Sequence, residues 1–148
     1  MLSPDFRDIL SAFTDAGVEY LLVGAYAMAA HGHPRATGDI DLWVRPEPEN
    51  ARRVLRALAA FGAPLAGATE QDFAAPGLVF QIGVAPHRID VLTGIDGVAF
   101  DEAWEERAER SLAGLTIPVL NRPMLVRNKR ATGRRRDAAD ADRLEGLE

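Results

Sequence analysis

Cysteine is absent from the 148 residues, which excludes a disulfide scaffold, a cysteine-based zinc site and thiol catalysis. That absence fits a reducing cytoplasm, the expected location. Long apolar runs are also missing. The longest, Tyr20 to Ala30, is about half of the roughly 20 residues a membrane helix needs, so no membrane partner is expected. The N-terminal stretch MLSPDFRDIL carries two acids and lacks the basic start and apolar run of a signal peptide. No repeat, low-complexity linker or composition break divides the chain. At roughly 150 residues per domain it reads as one domain over 1–148, and its 47% apolar content is enough for a core.

Lysine is nearly absent: Lys129 is the only one among 17 basic residues. The charge is unevenly spread. Asn121 to Arg136 holds seven basic residues and no acid, leaving −12 on the rest of a chain whose net charge is −5. A local basic strip can hold phosphates even in an acidic protein, although a solvated helix face explains it equally well.

Ser3-Pro4 opens a helix whose apolar positions Phe6, Ile9, Leu10 and Phe13 recur at helical spacing up to Gly17. Glu19 to Val23 is a short apolar strand, Ala25 to Ala30 a small-residue helix, and Asp39 to Val44 an alternating strand. Pro46 to Phe61 is amphipathic. Gly62 to Gly77 reads as loop with a helical turn near Gln71, and Leu78 to Ile82 and Arg88 to Leu92 as a hairpin pair. A charged helix is predicted over Phe100 to Leu112, a strand over Leu115 to Leu120, and helices over Pro123 to Thr132 and Asp137 to Leu147. This order predicts an α/β (α+β) domain with a mixed sheet of about five strands and a basic helical tail, 121–148, packed on it.

The sharpest local feature is Asp39-Ile40-Asp41-Leu42. Alternate residues of a strand share a face, so the two carboxylates stand side by side while Ile40 and Leu42 enter the core. Like charges at about 4 Å repel by about 4 kcal/mol at an effective dielectric near 20 unless a cation or proton intervenes. A divalent metal would relieve this, and Mg²⁺ combines one or two carboxylates with substrate phosphates. Asp90 lies between Ile89 and Val91 in an otherwise apolar strand. If the two strands are neighbours, Asp39, Asp41 and Asp90 form one triangle, the pattern of a two-metal phosphoryl-transfer site. Upstream, Gly24 and Ala25 end a strand and open a helix, where small residues let backbone N–H groups approach a phosphate. His31 and His33 lack a third nitrogen or sulfur partner and read as a loop feature. His87 reads as exposed, and Trp43 and Trp104 as packing residues.

Gly24-Ala25, Arg35-Ala36-Thr37-Gly38-Asp39-Ile40-Asp41-Leu42 and Ile89-Asp90-Val91 together resemble the nucleotidyltransferase superfamily of polymerase-beta type. The run GAYAMAAHGHPRATGDIDLWV is closest to the bacterial branch that includes abortive-infection-type toxins and small uncharacterised nucleotidyltransferases. The resemblance covers about Val18 to Leu92. It extends to the tail, where LVRNKRATGRRRDAADADRL is similar to that branch's Lys-x-x-x-Gly-Arg-x-x-Asp segment.

By position, the resemblance implies that Gly24 and Ala25 contact the nucleotide phosphates and that Asp39 and Asp41 are paired metal ligands. It makes Asp90 the third carboxylate, which activates the attacking hydroxyl. Arg35 and Thr37 match positions near the triphosphate, and Lys129, with Asp137 near it, a phosphate-neutralising tail lysine. Ala25 departs from the pattern, which has a second glycine or a serine there, so a hydroxyl contact is lost.

The expected activity is nucleotide transfer from an NTP to a hydroxyl of RNA, protein or a small molecule. It would use two Mg²⁺ or Mn²⁺ ions. The resemblance also implies a toxin–antitoxin or phage-defence setting, and a partner protein or homodimer that completes the site. The alternative is a non-catalytic module that binds nucleotide or a partner. A metal-dependent glycosyltransferase would share D-x-D but leaves Gly24, Asp90 and the basic tail unexplained.

Overall fold

Ser3 caps the first helix as its sequence predicts, its hydroxyl accepting the Phe6 N–H at 3.2 Å. The structure, a computed structural model, describes residues 2–35, 37–84 and 87–147. Helix α1 (Pro4–Asp15) buries Phe6, Ile9, Leu10 and Phe13. Strand β1 (Tyr20–Val23) is buried throughout and leads directly into α2 (Gly24–Ala30). Strand β2 (Asp39–Val44) alternates between partly exposed acids and buried apolar residues before becoming fully buried. Helix α3 (Pro48–Phe61) starts two residues later than its proline suggests, because the Glu47 side chain caps it by accepting from Glu49 and Asn50 N–H. Asn50 is buried. Its amide accepts from the Glu19 N–H and donates to the Glu19 and Arg45 carbonyls, clamping the start of β1 to the end of β2.

The short α4 (Glu70–Ala74) contains the helical turn expected near Gln71. Then follow β3 (Val79–Ile82), β4 (Arg88–Leu92), α5 (Phe100–Glu105), β5 (Ala108–Leu112), β6 (Leu115–Val119), α6 (Arg122–Ala131) and α7 (Arg135–Glu145). The strands form one mixed sheet in the order β3-β4-β2-β1-β6-β5. The class is the α/β class expected.

One expected element is corrected. The helix predicted over Phe100 to Leu112 stops at Glu105, and residues 108–112 form β5, giving six strands where about five were expected. The residues Ala113 and Gly114 explain it. Both have positive φ (52° and 80°) and lie between the paired Leu112 and Leu115, forming the two-residue turn that matches strand twist. Tertiary pairing with β6 overrides the helical propensity of Ala-Glu-Arg-Ser-Leu.

No helix among the described residues is long and apolar enough to cross a membrane. Trp43 is buried edge-on against Phe100 at 5.0 Å, and Trp104 stacks on the same ring, so both are packing residues as expected.

Candidate active site

The order of strands creates the site. Strands β2 and β4 run parallel and adjacent, with Asp41 opposite Asp90 and Asp39 opposite Arg88. Neighbouring strands lie about 4.8 Å apart, and residues directly opposite share a face. The three acids of the sequence pattern therefore converge, while Ile40, Leu42, Ile89 and Val91 are buried between them and the core.

Burial pushes the Asp41 carboxyl up to about 7, and the facing Asp90 and nearby Asp39 push the same way; Lys129 opposes them. No cation forms an ion pair with Asp41 among the described residues. Its two neighbours are served by Arg88. That guanidinium reaches Asp39 Oδ2 at 2.9 Å and Asp90 at 3.0 and 3.2 Å. Sequence reasoning passed over Arg88, yet its signal was present: it lies two residues before Asp90 on one strand and so shares its face.

Gly24 sits directly against this cluster. Its φ is +70°, and a Cβ there would overlap the Asp41 carboxylate. The glycine is required by the left-handed backbone and by the room the acid takes, whether or not a phosphate approaches.

The opposite wall comes from the tail. Lys129, on α6, donates to Asp137 and Asp140, each at 3.2 Å. Arg35 also pairs with Asp140, and Arg134 with Asp137 at 2.8 Å. Gly133, at φ +74°, makes the turn that folds α7 back on α6. The Lys-x-x-x-Gly-Arg-x-x-Asp segment is thus a latch in which Lys129 and Arg134 grip the same carboxylate. Burial acts to raise the Asp137 pKa, but the Thr132 hydroxyl, Lys129 and Arg134 outweigh it and hold it below the ordinary value. Thr37 accepts the Asp39 N–H at 3.1 Å and so fixes the start of β2. Ala36, between Arg35 and Thr37 in the motif, lies outside the described residues, as do Ala85 and Pro86 of the expected hairpin turn.

These walls flank an open cavity of about 800 Å³. It brings together all the residues singled out in the sequence: Gly24, Ala25, Arg35, Thr37, Asp39, Asp41, Asp90 and Lys129. Arg88, Arg134, Arg136 and Asp137 join them. The basic strip is largely engaged with its own chain. Arg122 donates to the His31 and Leu144 carbonyls, Arg127 pairs with Glu102, and Arg130 with Asp142 and Glu145. His31 is equally committed. It is buried, its ring bonds the Leu120 carbonyl at 2.8 Å, and burial holds its pKa below the ordinary value. His87 is exposed, as expected.

Among the described residues no three carboxylate or imidazole groups are arranged to hold a metal ion as they stand; Arg88 holds Asp39 and Asp90 instead. The donor set still suits a hard divalent cation. It is all oxygen, and Asp41, whose pKa is pushed up by burial and by its two acidic neighbours, has no cation paired to it among the described residues.

Two solved structures superimpose on the whole chain and give it a nucleotidyltransferase-type fold. TM1012 of Thermotoga maritima, which carries a nucleotidyltransferase assignment, superimposes with a TM-score of 0.62 at 16% identity, covering 100% of this chain and 97% of that one. The lincosamide antibiotic adenylyltransferase LnuA, in its lincomycin-bound structure, matches with a TM-score of 0.62 at 13% identity over 100% and 99% of the two chains. No protein-family model matches the chain, and no curated protein matches its sequence.

Proposed function

We propose that this protein is a metal-dependent nucleotidyltransferase that moves a nucleoside monophosphate from an NTP to a hydroxyl acceptor. The observation that carries the reading is the placement of Asp41 opposite Asp90, with Asp39 beside them, in a cavity where Asp41 has no paired cation among the described residues. Asp39, Asp41 and Asp90 would hold Mg²⁺ or Mn²⁺, two ions in all, which would neutralise the triphosphate.

The chain's own groups have separate tasks. Asp90 takes the proton of the acceptor hydroxyl as its oxygen bonds to the α-phosphorus. The bond from that phosphorus to the bridging oxygen breaks, and pyrophosphate leaves with its electron pair. Arg35 and Lys129, held by Asp140, present positive charge toward the departing phosphates. Thr37 sets the start of the acidic strand, and Gly24 and Ala25 form the cavity floor beside Asp41.

Incubation with each α-labelled NTP, Mg²⁺ or Mn²⁺, and RNA, protein or small-molecule acceptors tests this. Label should move to one acceptor fraction, and an Asp39→Asn/Asp41→Asn double variant should abolish the transfer. Wild-type rates in that variant would refute the assignment. LnuA is named for an antibiotic substrate, which puts small molecules among the acceptors to test. A toxin–antitoxin or phage-defence setting, a cytoplasmic location and a partner chain or homodimer that completes the site belong to the same proposal. Gene neighbourhood and solution mass test the setting and the partner.

A second reading, a non-catalytic nucleotide- or partner-binding module, has one observation in its favour. Arg88 already pairs with two of the three acids. Nucleotide binding without label transfer to any acceptor would establish it.

A further inference from the structure

We infer that the end of the cavity beyond Asp90 is the acceptor subsite, and that it takes a small hydroxyl compound with an apolar body and no negative charge. This rests on the proposed transfer reaction and names its substrate class.

Direction across the sheet comes first. Gly24 and Ala25 lie at the β1 end, Asp41 and Asp90 in the middle, and β3 at the outer edge. Phosphoryl transfer runs in line, with nucleophile and leaving group on opposite sides of the phosphorus. A triphosphate lying toward Gly24, Arg35 and Lys129 leaves the β3 side for the attacking hydroxyl. Of the three clustered acids Asp90 is nearest that side, paired in register with Gln81 of β3.

The walls there differ from the rest. Val79, Leu92 and Ile95 line the cavity as an apolar ledge. Val79 and Leu92 are directly paired across β3 and β4 and share a face. Val79 is 55% exposed, one of three large apolar side chains so exposed among the described residues, and it faces the cavity. The ledge is fixed in place. Thr93 bonds Leu78 through both its N–H and its hydroxyl, at 3.1 and 2.8 Å. Gly97 packs so closely on α6 that a Cβ would come within 2.7 Å of Ala131. Asn128 donates to the Asp96 carbonyl at 3.0 Å.

Charge then selects the occupant. Beside the ledge the cavity is lined by the exposed Asp96, whose carboxylate makes no ion pair among the described residues. Arg88, the nearest cation along β4, is spent on Asp39 and Asp90. A polyanion entering here would meet Asp96 and find no cation on β3 or β4 besides the paired Arg88, the cavity's other cations being Arg35 and those of the tail. An apolar body, by contrast, covers the ledge, and an amine suits Asp96.

The test measures label transfer from a mixture of α-labelled NTPs to four acceptors: 2-amino-1-phenylethanol, ethanolamine, 3-phenyllactate and a short RNA. Total protein is included as a fifth arm. The aminophenyl alcohol should be labelled at least tenfold faster than ethanolamine, which lacks the apolar body, and than phenyllactate, which bears a negative charge. Val79→Asp should raise the KM for the aminophenyl alcohol about tenfold while the affinity for a fluorescent mant-nucleotide moves less than twofold. Label in RNA or protein instead, or equal rates for phenyllactate, overturns the subsite and leaves nucleotide transfer standing. No label in any acceptor despite mant-nucleotide binding overturns the transfer reading and the subsite with it.

Discussion

Gly24 and Asp41 share one volume: the Asp41 carboxylate lies where a side chain on residue 24 would begin. A Gly24→Ala change therefore has two costs, about 1–2 kcal/mol for the left-handed backbone and the displacement of a central acid. The expected result is a lower melting temperature and a loss of nucleotide transfer of at least a hundredfold. A double-mutant cycle separates the causes. In an Asp41→Ala background the stability cost of Gly24→Ala should shrink toward the backbone contribution alone.

Asp41 also makes stability depend on pH. Its pKa rises from 3.8 to about 7 on folding, through burial and then through Asp90 and Asp39. Between those values the folded chain holds a proton that the unfolded chain has released, so stability falls as pH rises and the loss is complete above about 7. The span is on the order of 2–4 kcal/mol. Melting temperatures should be higher at pH 5 than at pH 8, and Asp41→Asn should flatten the difference and raise stability at pH 8 while ending transfer. Mn²⁺ should narrow the gap in the wild type by standing in for the proton. Asp137 acts in a lower range. Its depressed pKa means that its contribution is present above the ordinary carboxylate range and is lost as pH falls through its own value.

Arg88 competes with any cation for Asp39 and Asp90. Arg88→Gln should tighten Mn²⁺ binding by about tenfold, roughly 1.4 kcal/mol, in titrations followed by calorimetry or spin resonance. Unchanged or weaker binding would show that the guanidinium supports the acids instead of blocking them.

Asp140 is nearly buried and holds both Arg35 and Lys129. Removing one partner of a buried charge cluster typically costs about 3–5 kcal/mol. Asp140→Asn should lower stability by that order and, in protein that still folds, raise the KM for NTP more than it lowers kcat. A loss confined to kcat would mean that the two cations do not face the nucleotide.

The sequence made β2 legible because its acids alternate with Ile40 and Leu42, and only a strand puts them on one face. It left the pairing of Asp41 with Asp90 conditional, since register between strands some fifty residues apart depends on the whole sheet. Strand β5 was misread because its residues favour helix locally and Ala113 is a weak marker of the turn that decides the matter. Arg88 shares a face with Asp90 already in the sequence, but its grip on Asp39 depends on the pairing of β2 with β4. Asp137 stands in the sequence only as the last residue of the tail motif beside Lys129, and Asp140 as one more acid of the helix after it. Only the fold of α7 on α6 shows them buried.

The latch between α6 and α7 sets an order in time. The acids belong to residues 39–90, but the charges of Lys129, Arg134 and Asp137 that complete the cavity lie 39 to 47 residues further along. Strand β6 must also arrive before β1 acquires its second neighbour. During synthesis, then, a chain halted after β4 presents the acidic strands without their opposing wall. In the proposed enzyme, competence to hold a nucleotide would then wait for α6 and α7, which follow the acidic strands along the chain.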